Sequence, residues 1–455
     1  MYIIKYELNM NFKLEKPNIS KINPEEIFKF LKDENVREIV TKSMYPEYLY
    51  WDKVKYKELP NGYKPEVAWA AIKFIRSNAL QRRESIINDE KGHNFFWVSS
   101  LPWYDEFLHE VDMNLGGALL GLARDLDDST KHRFITRGVM EEAIASSQLE
   151  GANTTRRVAK QMLREGRKPR NKNEQMITNN YQVMLFIEDT LKSEKLSIDR
   201  LKDIQAMLTR DTLDSKKDEG QFRTDKDNIV VQDGGDGTIY HVAPNEKFMR
   251  HELERLVAYA NDELKDIGFI HPVFKATLIH FWIGYLHPFA DGNGRLARAL
   301  FYWYLLKHEY WGFAYLPLSK VIKDSPVQYG MAYVYTEQDD NDLTYFLDYN
   351  TRKIKQSIKE FREFESKTMK ENTKMVKEAR TEHHLNDRQI QILRFYQKNK
   401  DEGVSASAHM NVNEISRATA ITDLKTLERK GFLFKRKTGR KVYYYATDRV
   451  EKLFS

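Results

Sequence analysis

The residues best equipped for chemistry in this chain of 455 residues lie in one stretch, His287-Pro288-Phe289-Ala290-Asp291-Gly292-Asn293-Gly294-Arg295-Leu296-Ala297-Arg298. An apolar helix is predicted to run into it over Pro272–Leu286 and a second to leave it over Arg295–Leu306. The loop Asp291–Gly294 therefore sits at a helix N-terminus. Gly292 and Gly294 let backbone amides converge on one point, an anion nest reinforced by the helix dipole. Arg295 and Arg298, three residues apart, are predicted on one face of the first turn, so loop and arginines together suit a polyphosphate. Asp291 is a hard oxygen ligand of the kind that holds Mg²⁺ against phosphates. Asn293 offers an amide donor for a phosphate oxygen, and His287 can take the proton from an attacking hydroxyl. Phosphoryl chemistry depends mainly on positioning and charge neutralisation, and these groups supply both. The loop is not a Walker loop, because G-x-x-x-x-G-K-[ST] is missing. His271, His280 and His287 do not have the spacing of metal ligands.

The stretch matches H-x-F-x-[DE]-G-N-G-R-x-x-R at every defined position and so resembles the Fic family over about residues 112–350. The resemblance implies an all-α core that moves AMP from ATP onto a protein hydroxyl. It makes His287 the base, Asp291 the holder of Mg²⁺, and Asn293 a partner of the α-phosphate. Arg295 and Arg298 would bind the outer phosphates, beside the backbone of Gly292 and Gly294. Two short strands around a Gly/Asp turn at residues 228–241 read as a hairpin, preceded by Gly220-Gln221-Phe222-Arg223. It looks like the family's flap, whose Ile229, Val230, Val231, Ile239 and Tyr240 would align a target segment by strand addition. Upstream, Ser146-Ser147-Gln148-Leu149-Glu150-Gly151 is similar to the family's inhibitory pattern [ST]-x-x-x-E-[GN]. Ser146 and Glu150 fall on one face of a helix predicted over Val139–Glu150, which Gly151 can end. In self-inhibited relatives this glutamate pairs with the second motif arginine, here Arg298. Some members use other phosphate donors or reverse the modification, so removal of AMP is an alternative direction.

The elements that must position these groups are mainly helical. Apolar residues recur at three- and four-residue spacing from about 112 to 350. Residues 1–111 read as a mixed helical or α+β region with no assignable chemistry. Its Trp51, Trp69, Trp97 and Trp103 suit a core, with Tyr48–Tyr56 weighed as a docking surface. Residues 351–384 contain no Gly or Pro in their charged part and read as a helical linker. There is no cysteine, which excludes disulfides and thiolate chemistry. The first residues lack a signal-peptide pattern, and the longest uncharged apolar stretch, Ala276–Ala290, is short of the roughly 20 residues that span a bilayer. A cytoplasmic protein without membrane contact is expected.

Charge is unevenly placed. Leu385–Ser455 holds 15 Lys/Arg and 8 Asp/Glu, a net of +7, whereas the rest carries 58 against 59. This segment reads as helix, turn, helix and a basic-tipped hairpin, and it resembles winged-helix DNA-binding domains over residues 385–455. Ser416–Lys430 would be the recognition helix and Arg436–Lys441 the wing. Candidate DNA contacts are Arg417, Thr419, Arg436, Lys437, Arg440 and Lys441; a protein-docking role is the competing view. Two readings follow. One is an AMP-transferring enzyme, inhibited by Glu150, whose partners are ATP, a target protein and itself. The other is a DNA-binding regulator whose core senses nucleotide.

Overall fold

The computed structural model describes residues 3–4, 15–78, 80–116, 128–232, 239–265, 267–399, 401–438 and 441–454. The chain is mainly α. It begins with β1 (Ile3–Ile4), α1 (Pro24–Lys32), α2 (Arg37–Lys42), α3 (Trp51–Val54), α4 (Pro65–Asn78), a hairpin of β2 (Arg82–Asn88) and β3 (Asn94–Val98), and α5 (Pro102–Leu115). Next come α6 (Asp128–Leu149), α7 (Arg156–Glu165), α8 (Lys172–Asp189), α9 (Ile198–Thr209), β4 (Val230–Gln232), β5 (Ile239–Val242) and α10 (Glu246–Ala260). The centre and its exit are α11 (Pro272–Leu286), α12 (Asn293–Lys307), α13 (Leu318–Lys323), α14 (Pro326–Gln338) and α15 (Thr344–Thr381). The last part is α16 (Asp387–Lys398), β6 (Val404–Ser405), α17 (Ala406–Asn413), α18 (Arg417–Arg429), β7 (Leu433–Thr438), β8 (Lys441–Ala446) and α19 (Asp448–Phe454).

Helices apolar on every side belong in the middle of a protein, and α11 and α12 are two of them. Thirteen of the fifteen residues of α11 are buried, as are thirteen of the fifteen in α12. They pack against each other with the motif loop between them, so the loop is anchored at both ends in the core. Around this pair a single apolar core runs from Phe30 to Phe361. Trp51, Trp69, Trp97 and Trp103 all belong to it, and so do Tyr48 and Tyr50, which leaves only Lys53 and Tyr56 of the weighed docking stretch exposed. Tyr48 also donates to Asp342 (2.9 Å), and Arg76 reaches Tyr345 (2.9 Å). The described residues from Phe30 to Leu115 are thus packed into the central helices. Two helices run through the limits expected from sequence: α5 crosses 111–112 and α15 crosses 350–351 without a break.

A second core joins Ala379 at the end of α15 to Leu385, Ile390, Leu393, Leu424, Leu427, Phe432, Leu433 and Tyr444. Its sheet has the order β6-β8-β7, with Leu433 opposite Ala446 and Arg436 opposite Tyr443.

The placement of α6 depends on two contacts. Glu142, buried, accepts from the Tyr302 hydroxyl and the Ser319 amide (2.8 Å each), tying α6 to α12 and α13. Gly138 lets α6 approach the backbone at Ala314–Tyr315: a Cβ there would lie 2.3 Å from the Ala314 oxygen and 2.9 Å from the Tyr315 Cα. Because both obstacles are backbone, Gly138→Ala should cost about 1–3 kcal/mol of overpacking. Urea unfolding of the variant is expected to show a lower midpoint, and an unchanged midpoint would mean that α6 shifts freely.

Candidate active site

The helix α11 stops where chemistry needs it to. His287 is its C-cap in the left-handed region (φ 43°, ψ 58°), and Pro288 follows, which disfavours a continued helix. A non-glycine residue held there costs about 1–3 kcal/mol of strain and persists only where its surroundings impose it. Arg223 does so. Its Nε donates to the His287 carbonyl (2.6 Å), its Nη2 donates to the Leu286 (3.1 Å) and Pro244 (2.5 Å) carbonyls, and its amide donates to Pro288 O (3.0 Å). Gln205 adds a second brace, donating to the Asp291 carbonyl (3.0 Å) while accepting from the Gly220 amide (2.6 Å). Sequence reading noted the Gly-Gln-Phe-Arg segment but gave Arg223 no task, and it missed Gln205. Neither belongs to the loop it holds.

The geometry of His287 fixes its proton. Nδ1 lies 2.6 Å from the Gly284 carbonyl, which can only accept, so Nδ1 carries hydrogen and Nε2 keeps its lone pair in the neutral ring. Burial pushes the pKa of His287 down to about 4, and the charge on His241 adds to this. His241 lies on β5 with its ring centroid 6.2 Å from that of His287. Its Nε2 meets the Tyr285 carbonyl (2.9 Å) and its Nδ1 the Glu337 carboxylate (2.8 Å), so both nitrogens face acceptors. Burial opposes a charge on His241, but Glu337 and the carbonyl outweigh it and raise its pKa. A base depressed in this way stays unprotonated until the pH falls well below the ordinary histidine range. Any rate that needs neutral His287 should therefore be flat around neutrality, with its acid limb lying toward pH 4. His241→Gln removes a neighbouring cation and should move that limb upward; a pH–rate profile unmoved by the change would separate the two rings.

The loop itself is closed by its own side chains. Gly292 is the N-cap of α12 at φ 84°, and no side chain caps it, so the first-turn amides keep no intrahelical acceptor. Asn293 is buried, its Nδ2 donating to Phe289 O (2.8 Å) and its Oδ1 accepting from Phe289 N (3.0 Å). The amide expected to meet a phosphate is here a clasp across the loop. Asp291 is partly exposed, with Oδ1 accepting from the Gly292 amide (2.5 Å) and from Arg295 Nη2 (3.3 Å).

The two motif arginines diverge. Arg295, fully buried, donates to the Leu208 carbonyl (2.9 Å) and turns toward α9. Arg298 turns toward α6. Its Nε donates to Ser146 Oγ (2.8 Å), and its Nη2 donates to Ser146 O (3.0 Å) and Glu150 Oε1 (2.8 Å). The expectation of one shared face came from helical spacing; the opposite packing of α9 and α6 separates the guanidinium groups. The Glu150–Arg298 pair is shielded, with side-chain exposures of 6% and 3%. Glu150 also presses on the nest: a Cβ at Gly294 would lie 2.1 Å from Glu150 Oε1 and 3.1 Å from Arg298 Nη1. Gly294 therefore leaves room for a carboxylate against the N-terminus of α12, where an anion is favoured.

The hairpin β4–β5 is antiparallel, with Val230 opposite Val242, Val231 opposite His241 and Gln232 opposite Ile239. Ile229 and Tyr240 are buried, whereas Ile239 is exposed. β1 adds to it in parallel, Ile3 beside Val230 and Ile4 beside Val231, so the chain's own segment lies on the β4 edge. The turn at residues 233–238 is outside the described residues.

Residues 195–305, spanning the braces, the hairpin and the loop, match the model of the Fic/DOC family. Over these residues the chain is similar to the Fic/DOC family. It is 32% identical over 123 residues to Protein adenylyltransferase Fic of Nematostella vectensis, a span of 26% of this chain and 25% of that protein. It is 33% identical over 91 residues to Protein adenylyltransferase Fic of Drosophila erecta, 20% of this chain and 16% of the relative. The matched segments thus cover about a quarter or less of these relatives' length. A solved structure of Fic-1 from C. elegans superposes with a TM-score of 0.51 at 16% identity, covering 78% of this chain and 90% of that one. This likeness shows a shared fold. The matched span supplies the groups described above except Ser146 of α6, Glu150 just after it, Glu337 of α14 and the strand β1, which lie outside it.

In the C-terminal part, Arg417 is exposed at the start of α18, and Arg436 and Lys437 are exposed on β7. Thr419 is engaged at the N-cap, its amide donating to Ser416 Oγ (3.1 Å) and the two hydroxyls 2.9 Å apart. Lys441 pairs with Glu165 of α7 (3.1 Å), and Asn411 donates to the Arg164 carbonyl (3.2 Å). Arg440 lies outside the described residues. Among the described residues, no helix is long and apolar enough to cross a membrane.

Proposed function

We propose that this chain transfers AMP from ATP to a hydroxyl of a target protein and is held inactive by Glu150. The observation that carries the proposal is a neutral His287, its Nε2 lone pair free, beside an uncapped helix N-terminus. Nε2 takes the hydroxyl proton while the oxygen forms its bond to the α-phosphorus. The bond from that phosphorus to the bridging β-oxygen breaks, and pyrophosphate leaves. The amides at Gly292–Gly294 and the side chains of Arg295 and Arg298 receive phosphate charge. Mg²⁺ would be held by the partly exposed carboxylate of Asp291 and would neutralise the polyphosphate. A target segment would add to the β4–β5 flap, displacing or sharing the edge that β1 occupies. Incubation with labelled ATP and Mg²⁺ tests the reading: label on protein is expected. Tight nucleotide binding with no transfer, even when Glu150 is removed, would point to a nucleotide sensor instead.

For the C-terminal part we infer a winged-helix role in which α18 and β7 meet DNA phosphates. The support is an exposed face of α18 bearing Arg417, Lys425 and Arg429, with exposed Arg436 and Lys437 beside it. Lys441 contributes less, because it is held by Glu165. Neutralising Arg436 and Lys437 together should lower the log–log salt slope of DNA binding by about 0.9 per lost contact. Fluorescence anisotropy across a salt series measures this; an unchanged slope, or no DNA affinity at low salt, would leave protein docking as the role.

A further inference from the structure

A small open cleft of about 70 Å³ lies away from the motif loop, between α6, α7, α13, α15 and the 3-10 turn at Trp311–Tyr315. Arg137, Arg156 and Lys320 stand on its walls with Glu141, Glu360 and Phe364. The charges in it do not balance. Lys320 is matched by Glu360 (2.6 Å). Glu141, however, serves several cations at once: Arg156 Nε donates to it (2.8 Å), and both Arg156 Nη2 and Lys160 Nζ lie against its Oε1.

Arg137 is the group left over. Its guanidinium stacks on the Phe364 ring, 3.4 Å from the centroid. Stacking uses the flat face of a guanidinium and leaves its in-plane N–H donors pointing outward. Among the described residues no acceptor takes those donors. Burial, with Arg156 and Arg164 nearby, pushes Arg137 down to about 10 against the pull of Glu141. Burial likewise lowers Lys160 to about 8, although Glu141 opposes it. Both shifts come chiefly from burial of the cations.

We infer that this cleft binds a small phosphate-bearing molecule, with Arg137, Arg156 and Lys320 closing on the anion from three walls. Donors converging from several directions suit a tetrahedral anion better than a planar carboxylate, and charge-assisted hydrogen bonds from arginine are among the stronger ones. The site stands apart from the transfer reaction and would exist whichever way that reaction runs.

Calorimetric titration of the full chain with inorganic pyrophosphate at low ionic strength tests this. Binding is expected in the wild type, weakened at least tenfold by Arg137→Met and by Lys320→Met. Repeating the series in Arg298→Ala removes the motif-loop arginine as a competing phosphate partner, and the tenfold falls caused by Arg137→Met and Lys320→Met should persist there. Thermal unfolding reports whether each variant folds, and Lys320→Met tests the opposite wall should Arg137→Met prove unstable. Wild-type affinity in both methionine variants, loss of binding in Arg298→Ala instead, or no binding of pyrophosphate at millimolar concentration would overturn the site.

Discussion

Glu150→Gly is expected to raise AMP incorporation, self-labelling included, by one or more orders of magnitude over the wild type. The pair it breaks is buried on both sides, with Arg298 Nη2 2.8 Å from Glu150 Oε1 and Ser146 holding the rest of the guanidinium. The Glu150 carboxylate also lies against Gly294, in the place the helix N-terminus offers to a phosphate. It therefore competes with ATP twice, for the arginine and for the nest. Removing one partner of a shielded pair leaves an uncompensated charge costing about 3–5 kcal/mol. In the variant a phosphate of ATP can relieve that cost, and each 1.36 kcal/mol delivered to the transition state is worth about tenfold in rate. Two measurements check the cause. Glu150→Gly with Arg298→Ala should lose the gain, since the freed arginine does the activating. The single variant should also melt lower than wild type without nucleotide and be stabilised more by ATP. Equal labelling of active wild type and Glu150→Gly would remove Glu150 from any inhibitory role.

The residues that could be read from sequence are those whose work is local. His287, Gly292 and Gly294 act through helix termini and tight backbone, and helix-ending signals such as Pro288 are visible in a few letters. Ser146 and Glu150 were marked by the resemblance to the family's inhibitory pattern, with helical spacing putting them on one face, and the structure brings both to Arg298. What escaped were contacts set by tertiary packing. Arg223 reaches the His287 carbonyl across 64 positions, Gln205 reaches Asp291 across 86, and Glu337 reaches His241 across 96. No periodicity carries such information. The divergence of Arg295 from Arg298 belongs to the same class, because spacing fixes where a side chain leaves a helix but not which neighbour claims its end. The continuous core from Phe30 to Phe361 likewise joins regions whose compositions differ. Composition marks stretches of chain; burial decides which of them share an interior.

His287→Ala should abolish transfer while leaving the fold and nucleotide binding in place. A positioned general base contributes about 10²–10⁴-fold, and in Glu150→Gly the full loss is measurable because the starting rate is high. The backbone around residue 287 does not depend on the imidazole: Arg223 binds its carbonyl, and its amide donates to Ile283 O (3.0 Å) as the helix cap. The Nδ1 contact with Gly284 and the ring contact with His241 are lost. Alanine in the left-handed region carries some strain, so a modest fall in melting temperature is expected alongside an intact helical spectrum. His287→Asn gives the sharper comparison, since asparagine tolerates that backbone region better but cannot act as a base near neutral pH. The measurement is labelled-AMP incorporation by Glu150→Gly, with and without each change at residue 287, together with ATP affinity. Both double variants should bind ATP within a few-fold of Glu150→Gly and incorporate at least a hundredfold less label. Transfer within a few-fold of the parent in the asparagine variant would mean that the hydroxyl gives its proton elsewhere and that His287 shapes the loop without being its base.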